Sequence, residues 1–366
     1  MSDQAETVTR PAKRPRASED DSSYSHSPQS NSPTFAYTDL NLQRHPEIWF
    51  DDGSIVLVAR GTAFRIYRGL LASQSPVFAE TFAPSTSGPD KAGKTFDGCP
   101  AVQVDDSPCD LAHLLRLLLP QSTMYFHPTG ESPGVRHTFD QISAIIRLAH
   151  KYRIPQIQDQ ALSLLQEFWY TSSFYIFTGP RPDRDIDIRP VHAIGAVNLA
   201  RLTDTPSMLP LALYECAHLD GGALFDGWTR EDGTVERLSD ADLRRCLDAR
   251  VELAHLYHAV LSHLFCGAAH ERCRQPSLCE TAMRELHHKA THAERRVRYA
   301  ITDWRDSIRE LEMREALCWR CAGEILDNHE KERRAVFDRL PEIFGITVEG
   351  WGPAGAETDS EGGDQE

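Results

Sequence analysis

A hairpin-like pattern around residue 60 limits most strongly what this chain can fold into. The apolar run at 55–58 precedes Arg60-Gly61, and residues 62–67 follow with β-branched and aromatic side chains. Such side chains favour strands, and a glycine between two strand-forming runs favours a tight turn. The pattern therefore predicts an antiparallel hairpin, and hence a fold that contains a sheet.

Helical and extended patterns alternate after this hairpin. Ser75-Pro76 interrupts the first helical stretch at a place where serine would cap a second helix and proline would occupy its first turn. Pro155 lies between two later amphipathic helices. The predicted segments are helical residues 69–82, a strand at 101–104, a helix at 110–119, a strand at 124–126, and helices with apolar residues over 142–149 and 157–168.

Five short segments of this region resemble the BTB/POZ domain family. They are residues 48–57 (IWFDDGSIVL), 64–68 (FRIYR), 70–72 (LLA), 75–78 (SPVF) and 148–152 (LAHKY). The resemblance implies an α+β BTB/POZ domain over residues 38–172, with a small sheet and helical hairpins. The whole chain is similar to a fungal, basidiomycete-like group that carries this domain near the N-terminus and a helical region behind it.

The resemblance also implies a non-enzymatic protein that binds other proteins through a dimerisation or adaptor domain. Members of the family dimerise through the first strand and first helices, which bury apolar area between subunits. Trp49, Phe50, Leu70 and Leu71 are the interface candidates on this basis. For Leu70 and Leu71, an equally good interpretation is that they fill the core of their own chain. The expected partners are proteins, and we expect a homodimer or a heterodimer.

Two positions depart from the family pattern. Tyr67 stands where the family usually carries histidine, and an aromatic ring can fill that site. Many members contact a cullin ubiquitin-ligase scaffold through a hydrophobic-x-Glu element, and Leu111-Ala112-His113 aligns with it here. An imidazole in place of the carboxylate weakens the case for a cullin substrate adaptor, which stays open as an alternative role.

The second half of the chain has mainly helical patterns. Ser239, followed three residues later by Asp242, is typical of a helix N-terminus. Pro341 and Gly345 mark the end of the last apolar stretch. We therefore expect an all-α domain over residues 186–346.

Cysteines cluster in this second half. Cys318 and Cys321 have the spacing at which two thiolates share one tetrahedral metal ion, and Cys273 and Cys279 would supply the other pair. A structural zinc ion would then pin the loop at 266–280 against the later helix. The substitute ligands are Cys266, His263, His270 and His287. The alternative is that the cysteines are reduced, buried as small apolar side chains, and that the protein has no cofactor.

Composition limits the remaining functions. The chain has 54 acidic and 39 basic residues and a net charge of -15, which disfavours direct nucleic-acid binding because most of the surface repels phosphate. No apolar run is long enough to span a bilayer, and the N-terminus lacks the apolar segment of a secretory signal. We therefore expect an intracellular protein that does not engage membranes.

Both ends of the chain have the composition of disordered tails. Residues 1–37 are rich in Ser, Pro, Asp and Gln, and residues 352–366 have an acidic bias. Neither tail has enough large apolar side chains to offset the entropy lost on ordering. We expect both to be disordered.

A short basic cluster lies within the N-terminal tail. It consists of Lys13, Arg14, Pro15 and Arg16, and import receptors bind clusters of this kind, although ordinary solvated charge explains it equally well. The expected location is therefore the nucleus, the cytoplasm or both. A nuclear transcriptional regulator is a further alternative function.

Two motifs resemble catalytic ones only in part. Residues 130–134 (GESPG) have the spacing of a nucleophile elbow, but Pro133 lacks the backbone N–H that an oxyanion hole would use. His329-Glu330 is not followed by the second histidine of a zinc protease. We expect no enzymatic activity.

Overall fold

The computed structural model describes residues 42–83, 95–119, 137–179, 186–292 and 300–352. Over these ranges the fold combines a small sheet with many helices, which confirms the mixed α+β class. None of the described helices is both long and apolar enough to cross a membrane. The predictions for residues 1–37 (with Lys13 to Arg16), 124–126, 130–134 and 353–366 fall outside the described residues.

Five strands form the sheet of the first half: β1 (Gln43–Trp49), β2 (Ile55–Ala59), β3 (Thr62–Ile66), β4 (Thr95–Phe96) and β5 (Cys99–Val104). Their order across the sheet is β1-β3-β2-β5-β4. The predicted hairpin is confirmed, because β2 and β3 pair antiparallel with Ile55 opposite Ile66. At its turn Arg60 takes the positive φ, at 51°. On the two sides of this hairpin, β1 runs parallel to β3 and β5 runs parallel to β2, and β4 pairs antiparallel with β5 at the edge.

Three helices pack against this sheet: α1 (Arg68–Gln74), α2 (Pro76–Thr81) and α3 (Pro108–Leu118). The predicted break at Ser75 is confirmed, since its Oγ accepts the Phe78 N–H at 3.1 Å and thereby caps α2. The same hydroxyl donates to the Tyr152 carbonyl at 2.6 Å. This cap satisfies a backbone N–H that the start of a helix leaves unpaired. The bond to Tyr152 ties α2 to the point between the two helices of the next helix pair.

That pair consists of α4 (Phe139–Lys151) and α5 (Pro155–Phe168). The side chains of α4 belong to two hydrophobic cores. Leu148 and Ala149 pack with the sheet and its helices, which we call the sheet core, whereas Phe139 and Ile142 pack with the second half of the chain, in the helical core. Because one helix serves both cores, the two halves pack against each other directly.

The second half is mainly helical, as predicted. Its helices are α6 (Phe174–Thr178), α7 (His192–Leu202), α8 (Leu209–His218), α9 (Gly221–Asp226), α10 (Asp240–Phe265), α11 (Pro276–Thr291), α12 (Arg305–Met313), α13 (Trp319–Asp338) and α14 (Leu340–Ile343). Ser239 caps the long helix α10, since its Oγ accepts the Asp242 N–H at 3.1 Å. This helix packs against α8, α11 and α13.

The prediction that this half is all-α is wrong in one respect. Three two-residue strands occur in it: β7 (Ile186–Asp187), β8 (Trp228–Thr229) and β9 (Val235–Glu236). A fourth, β6 (His137–Thr138), lies in the first half, directly before α4. The strand β6 pairs parallel with β7, and β8 pairs antiparallel with β9 as a hairpin. Gly227 and Gly233 have positive φ values of 88° and 80° at the entry and turn of this hairpin. Strands of two residues are too short to show an alternating pattern in the sequence.

Ion pairs connect the β8–β9 hairpin to α3 and α4. Arg230 pairs with Asp110 and lies 3.5 Å from Glu236. Burial raises the pKa of Asp110, and the positive charge of Arg230 offsets this only in part. We call this group the junction; its members are Asp110, His113, Arg147, Arg230, Glu231 and Glu236.

Candidate metal centre

Four cysteine sulfurs converge at one point in the second half. The Sγ atoms of Cys273, Cys279, Cys318 and Cys321 all lie within 4.8 Å of one another. Cys273 Sγ is 3.6 Å from Cys279 Sγ and 3.6 Å from Cys318 Sγ. Four sulfurs that each lie about 2.3 Å from one zinc ion would be about 3.8 Å apart, which is the edge of the tetrahedron. The two measured separations are close to that spacing, so the group has the geometry of a single-ion site.

The four cysteines come from two segments that are distant in the sequence. Cys273 lies in the loop after α10, and Cys279 lies in the first turn of α11. Cys318 is the N-cap of α13, and Cys321 lies in the first turn of the same helix. The two-residue spacing therefore brings Cys318 and Cys321 to one end of α13. An ion bound here would join the starts of α11 and α13.

Backbone N–H groups point at the sulfurs of the group. The Gln275 N–H donates to Cys273 Sγ at 3.4 Å, and the His270 N–H donates to Cys321 Sγ at 3.4 Å. The N–H of Cys318 donates to the sulfur of Cys279 at 3.3 Å. Such donors stabilise negative charge on sulfur and hold each ligand in a fixed orientation. The sequence pattern gave no indication of these donors, because any residue supplies a backbone N–H.

The thiols of this group have unequal pKa values. Burial raises the pKa of Cys318, but hydrogen bonds from the backbone N–H and the thiol of Cys321, and from the other two thiols, outweigh it and bring the pKa to about 7. Burial raises the pKa of Cys279 and Cys321, and hydrogen bonds with the thiols of Cys273 and Cys318 raise it further. The backbone N–H groups that donate to these two sulfurs offset this rise in pKa only in part. One thiolate therefore forms readily near neutral pH, whereas several together need a positive charge between them.

The loop that carries Cys273 has little apolar packing to hold it. None of residues 266–278 is buried. Its contacts with the rest of the chain include a hydrogen bond from Arg320 to the Arg272 carbonyl at 3.2 Å. A cross-link through sulfur would therefore supply cohesion that apolar burial does not provide here.

The substitute ligands predicted from the sequence lie outside the group. Cys266 is exposed, and His263 pairs with Glu332. His270 uses its ring Nδ1 to accept the Arg272 N–H at 2.9 Å, and His287 is half-buried on α11. Within the described ranges, the four cysteines form the one set of three or more His, Cys, Asp or Glu side chains close enough to hold an ion.

Other cysteines match the alternative interpretation of small buried side chains. Cys99, Cys216 and Cys246 are buried at places away from the four-cysteine group. Burial raises the pKa of the Cys216 thiol well above its ordinary value, which keeps that group protonated at neutral pH. The alternative interpretation therefore fits these three cysteines, whereas the other four converge in a group that could hold an ion.

The four interface candidates differ in their burial. Leu71 is fully buried in the sheet core, so it fills its own chain and is removed from the interface candidates. Leu70 is half-buried. Trp49 is half-buried at the end of β1, where the Arg44 guanidinium lies 4.7 Å from the centre of its ring. Phe50 is also half-buried, and its ring centre lies 5.3 Å from that of Tyr67.

The His329 motif has a structural explanation. His329 is buried, and its Nε2 lies 3.1 Å from the backbone nitrogen of Trp304. Arg333 is also buried and donates to the Ile301 carbonyl at 3.0 Å. Both side chains bind the backbone before α12, which accounts for their position on the inner face of α13.

No family model matches the chain, and the search of curated proteins found no match to it. The resemblance to the BTB/POZ family therefore stays a prediction from short sequence segments.

Proposed function

We propose that this is a non-enzymatic protein-interaction protein, and that one structural zinc ion on Cys273, Cys279, Cys318 and Cys321 holds its second half together. The convergence of the four sulfurs from two distant segments carries the zinc part of the proposal. The interaction part rests on the BTB/POZ resemblance and on the half-buried aromatic residues at the end of β1.

The chemistry of the ligands favours zinc in a structural role. Four thiolates are a common ligand set of structural zinc, and they fill its tetrahedral coordination, so no position is left for water or substrate. Magnesium and calcium prefer oxygen ligands. An iron–sulfur cluster spreads its cysteines over two or more iron atoms, which places sulfurs on different irons further apart than the ligands of one ion. The short separations in this group therefore fit a single zinc ion best.

The metal content of the purified full-length chain tests the zinc proposal. We expect about one zinc per chain by inductively coupled plasma mass spectrometry, and we expect the Cys321→Ser variant to lose it because a buried ligand is replaced. Cys266→Ser is the matched control, since Cys266 is exposed in the same part of the chain but lies outside the group. The proposal fails if the wild-type chain holds no zinc even after incubation with it.

For the interaction function, we propose that the chain associates with a second copy through the surface next to Trp49 and Phe50. Both rings are half-buried, so each has area left to bury in an interface. Light scattering over a range of concentrations should give a dimer for the wild type and a monomer for Trp49→Ser. Trp319→Ser is the control, because Trp319 is 66% exposed on α13. A wild-type chain that stays monomeric at every concentration would refute this assignment.

The alternative role as a cullin adaptor is less well supported by the contacts of His113. Its Nε2 lies 3.2 Å from a carboxylate oxygen of Glu231 in the β8–β9 hairpin. The side chain at the position that the adaptor role would need therefore already binds a residue of its own chain. A glutamate at position 113 would face the Glu231 carboxylate and repel it. We expect His113→Glu to lower stability without creating cullin binding, and a pull-down with a purified cullin scaffold tests this.

A further inference from the structure

We infer that Cys273 and Cys318 form a disulfide when a hydroperoxide reaches the four-cysteine group, and that this modification releases the zinc ion. The inference adds regulation to the proposed zinc site and rests on that proposal, since release requires bound zinc. The reagent that the site would take is hydrogen peroxide or another small hydroperoxide.

The four sulfurs differ in their access to solvent. Cys273 and Cys318 are half-buried, whereas Cys279 and Cys321 are buried. Trp319, the neighbour of Cys318, is 66% exposed, so this end of α13 lies at the surface. A small oxidant arriving from solvent therefore meets Cys273 or Cys318 before the other two sulfurs.

The two accessible sulfurs are also neighbours, with 3.6 Å between them. A disulfide brings its sulfurs to about 2.0 Å, so the pair must approach by about 1.6 Å. Cys273 lies in the stretch 266–278, where no residue is buried, and this side of the pair has room to move. Cys318, in contrast, is fixed at the start of α13.

The chemistry of the step balances with the peroxide as the oxidant. The Cys318 thiolate attacks one peroxide oxygen, the O–O bond breaks, and Cys318 becomes a sulfenic acid while the other oxygen leaves and takes a proton to form water. The Cys273 thiolate then attacks the Cys318 sulfur, the S–S bond forms, and hydroxide leaves and takes a second proton. Two thiolates, one hydrogen peroxide and two protons thus give one disulfide and two waters.

Zinc release follows from the loss of ligands. The disulfide removes two thiolates from the group, and the two buried cysteines that remain hold the ion much more weakly. The loop stays attached to α13, because the new bond joins Cys273 to Cys318 directly. The oxidised chain therefore exchanges a metal cross-link for a covalent one at the same place.

The test treats the zinc-loaded full-length chain with hydrogen peroxide and follows three readouts. A chromogenic chelator measures released zinc, a thiol titration of the denatured chain counts free cysteines, and peptide mass spectrometry without reduction maps the disulfide. We expect complete loss of zinc, a fall from nine to seven free thiols, and a cross-link between the peptides of Cys273 and Cys318. A thiol reductant followed by zinc should restore both the metal and the nine thiols.

Cys266→Ser is the control variant, because Cys266 is exposed but outside the group, and its zinc release should follow that of the wild type. Zinc that stays bound while Cys266 is oxidised overturns the inference and leaves the zinc proposal intact. A disulfide between another pair, or conversion to sulfinic acid without a disulfide, overturns it as well. If the purified chain binds no zinc, the proposed function fails, and the mapped disulfide still decides whether Cys273 and Cys318 pair.

Discussion

The central strand of the sheet, β2, and the cysteine-bearing loop, residues 266–278, are held in place by different kinds of contact. All five residues of β2 are buried. Apolar neighbours cover the strand on both faces of the sheet, one of which is the sheet core. None of residues 266–278 is buried, yet the loop brings Cys273 to within 3.6 Å of sulfurs from α11 and α13. Burial holds the strand, whereas the loop depends on a few contacts through sulfur and polar atoms.

This difference separates two sources of stability that most chains combine. Apolar burial contributes a free energy that grows with area and does not depend on any ligand. A metal cross-link contributes only as much as the free metal concentration and its affinity allow. We therefore expect the stability of the sheet core to be unaffected by chelators, and the stability of the loop to depend on the zinc concentration.

The largest effect should come from Phe64→Ala in the sheet core. Phe64 is fully buried, so the truncation should lower the free energy of unfolding by up to about 5 kcal/mol through lost burial and a cavity. Urea unfolding with and without chelator measures this, and the two values should agree. Val251→Ala, 62% exposed on α10, is the control and should cost less than about 0.5 kcal/mol. A loss of stability that appears only without zinc would show that the sheet core also depends on the metal.

Removal of zinc should have the next largest effect. With free zinc a thousandfold above its dissociation constant, binding stabilises the folded chain by about 4 kcal/mol, and a chelator removes this contribution. Amide hydrogen exchange should then become faster over 266–278 and at the start of α13, while β2 keeps its protection. Equal loss of protection in both regions would show that the sheet also depends on the metal.

A third test concerns the junction between the two halves. Arg230→Ala leaves the Asp110 and Glu236 carboxylates without their shared partner, and we expect a loss of about 3 kcal/mol because both side chains are largely buried. Arg60→Ala is the matched control. Arg60 is 56% exposed and pairs with Asp232 at 3.5 Å, so its loss should cost less than about 1 kcal/mol. Equal effects of the two variants on urea unfolding would mean that burial of the Arg230 pair is unimportant.

The smallest effect should come from the pH dependence of Asp303. Burial opposes ionisation, but hydrogen bonds from Arg305 and the charge of Arg333 outweigh it and lower the pKa of Asp303 to about 2. A lowered pKa means that the ionised carboxylate stabilises the folded chain above pH 4 or so, and that this contribution disappears as the pH falls towards about 2. Because the side chain is 37% exposed, we expect less than about 1 kcal/mol.

The comparison that measures this contribution is wild type against Asp303→Asn. Urea unfolding at about pH 6 should show the variant to be less stable, and at about pH 2 the difference should be smaller. A difference that stays constant over this range would show that the carboxylate charge does not act through Arg305 and Arg333.

Local patterns made most of the elements predictable from the sequence. The β2–β3 hairpin, the break at Ser75, the strand at 101–104 and the start of α10 at Ser239 each depend on neighbouring residues, and the structure confirms them. Of the site, the spacing of Cys318 and Cys321 indicated one pair of ligands. The second pair followed from the chemistry of a four-ligand ion.

The features that escaped prediction depend on contacts between distant residues. Asp110 and Arg230 are 120 positions apart, and a single charged residue in either place is indistinguishable from an exposed one. The β8–β9 hairpin has strands too short for a pattern. Leu71 could be assigned to core or interface only after its burial was known, since a leucine on a short helix suits both.

The helix α4 belongs to both hydrophobic cores, and this limits how the chain can be divided into fragments. A fragment cut after α5 would retain the sheet core but leave Phe139, Ile142 and Ile146 without the helices that cover them. Such a truncation would expose a contiguous apolar surface and should aggregate, even if its sheet were intact. Binding regions in this protein are therefore better mapped by point substitutions in the whole chain than by deletion.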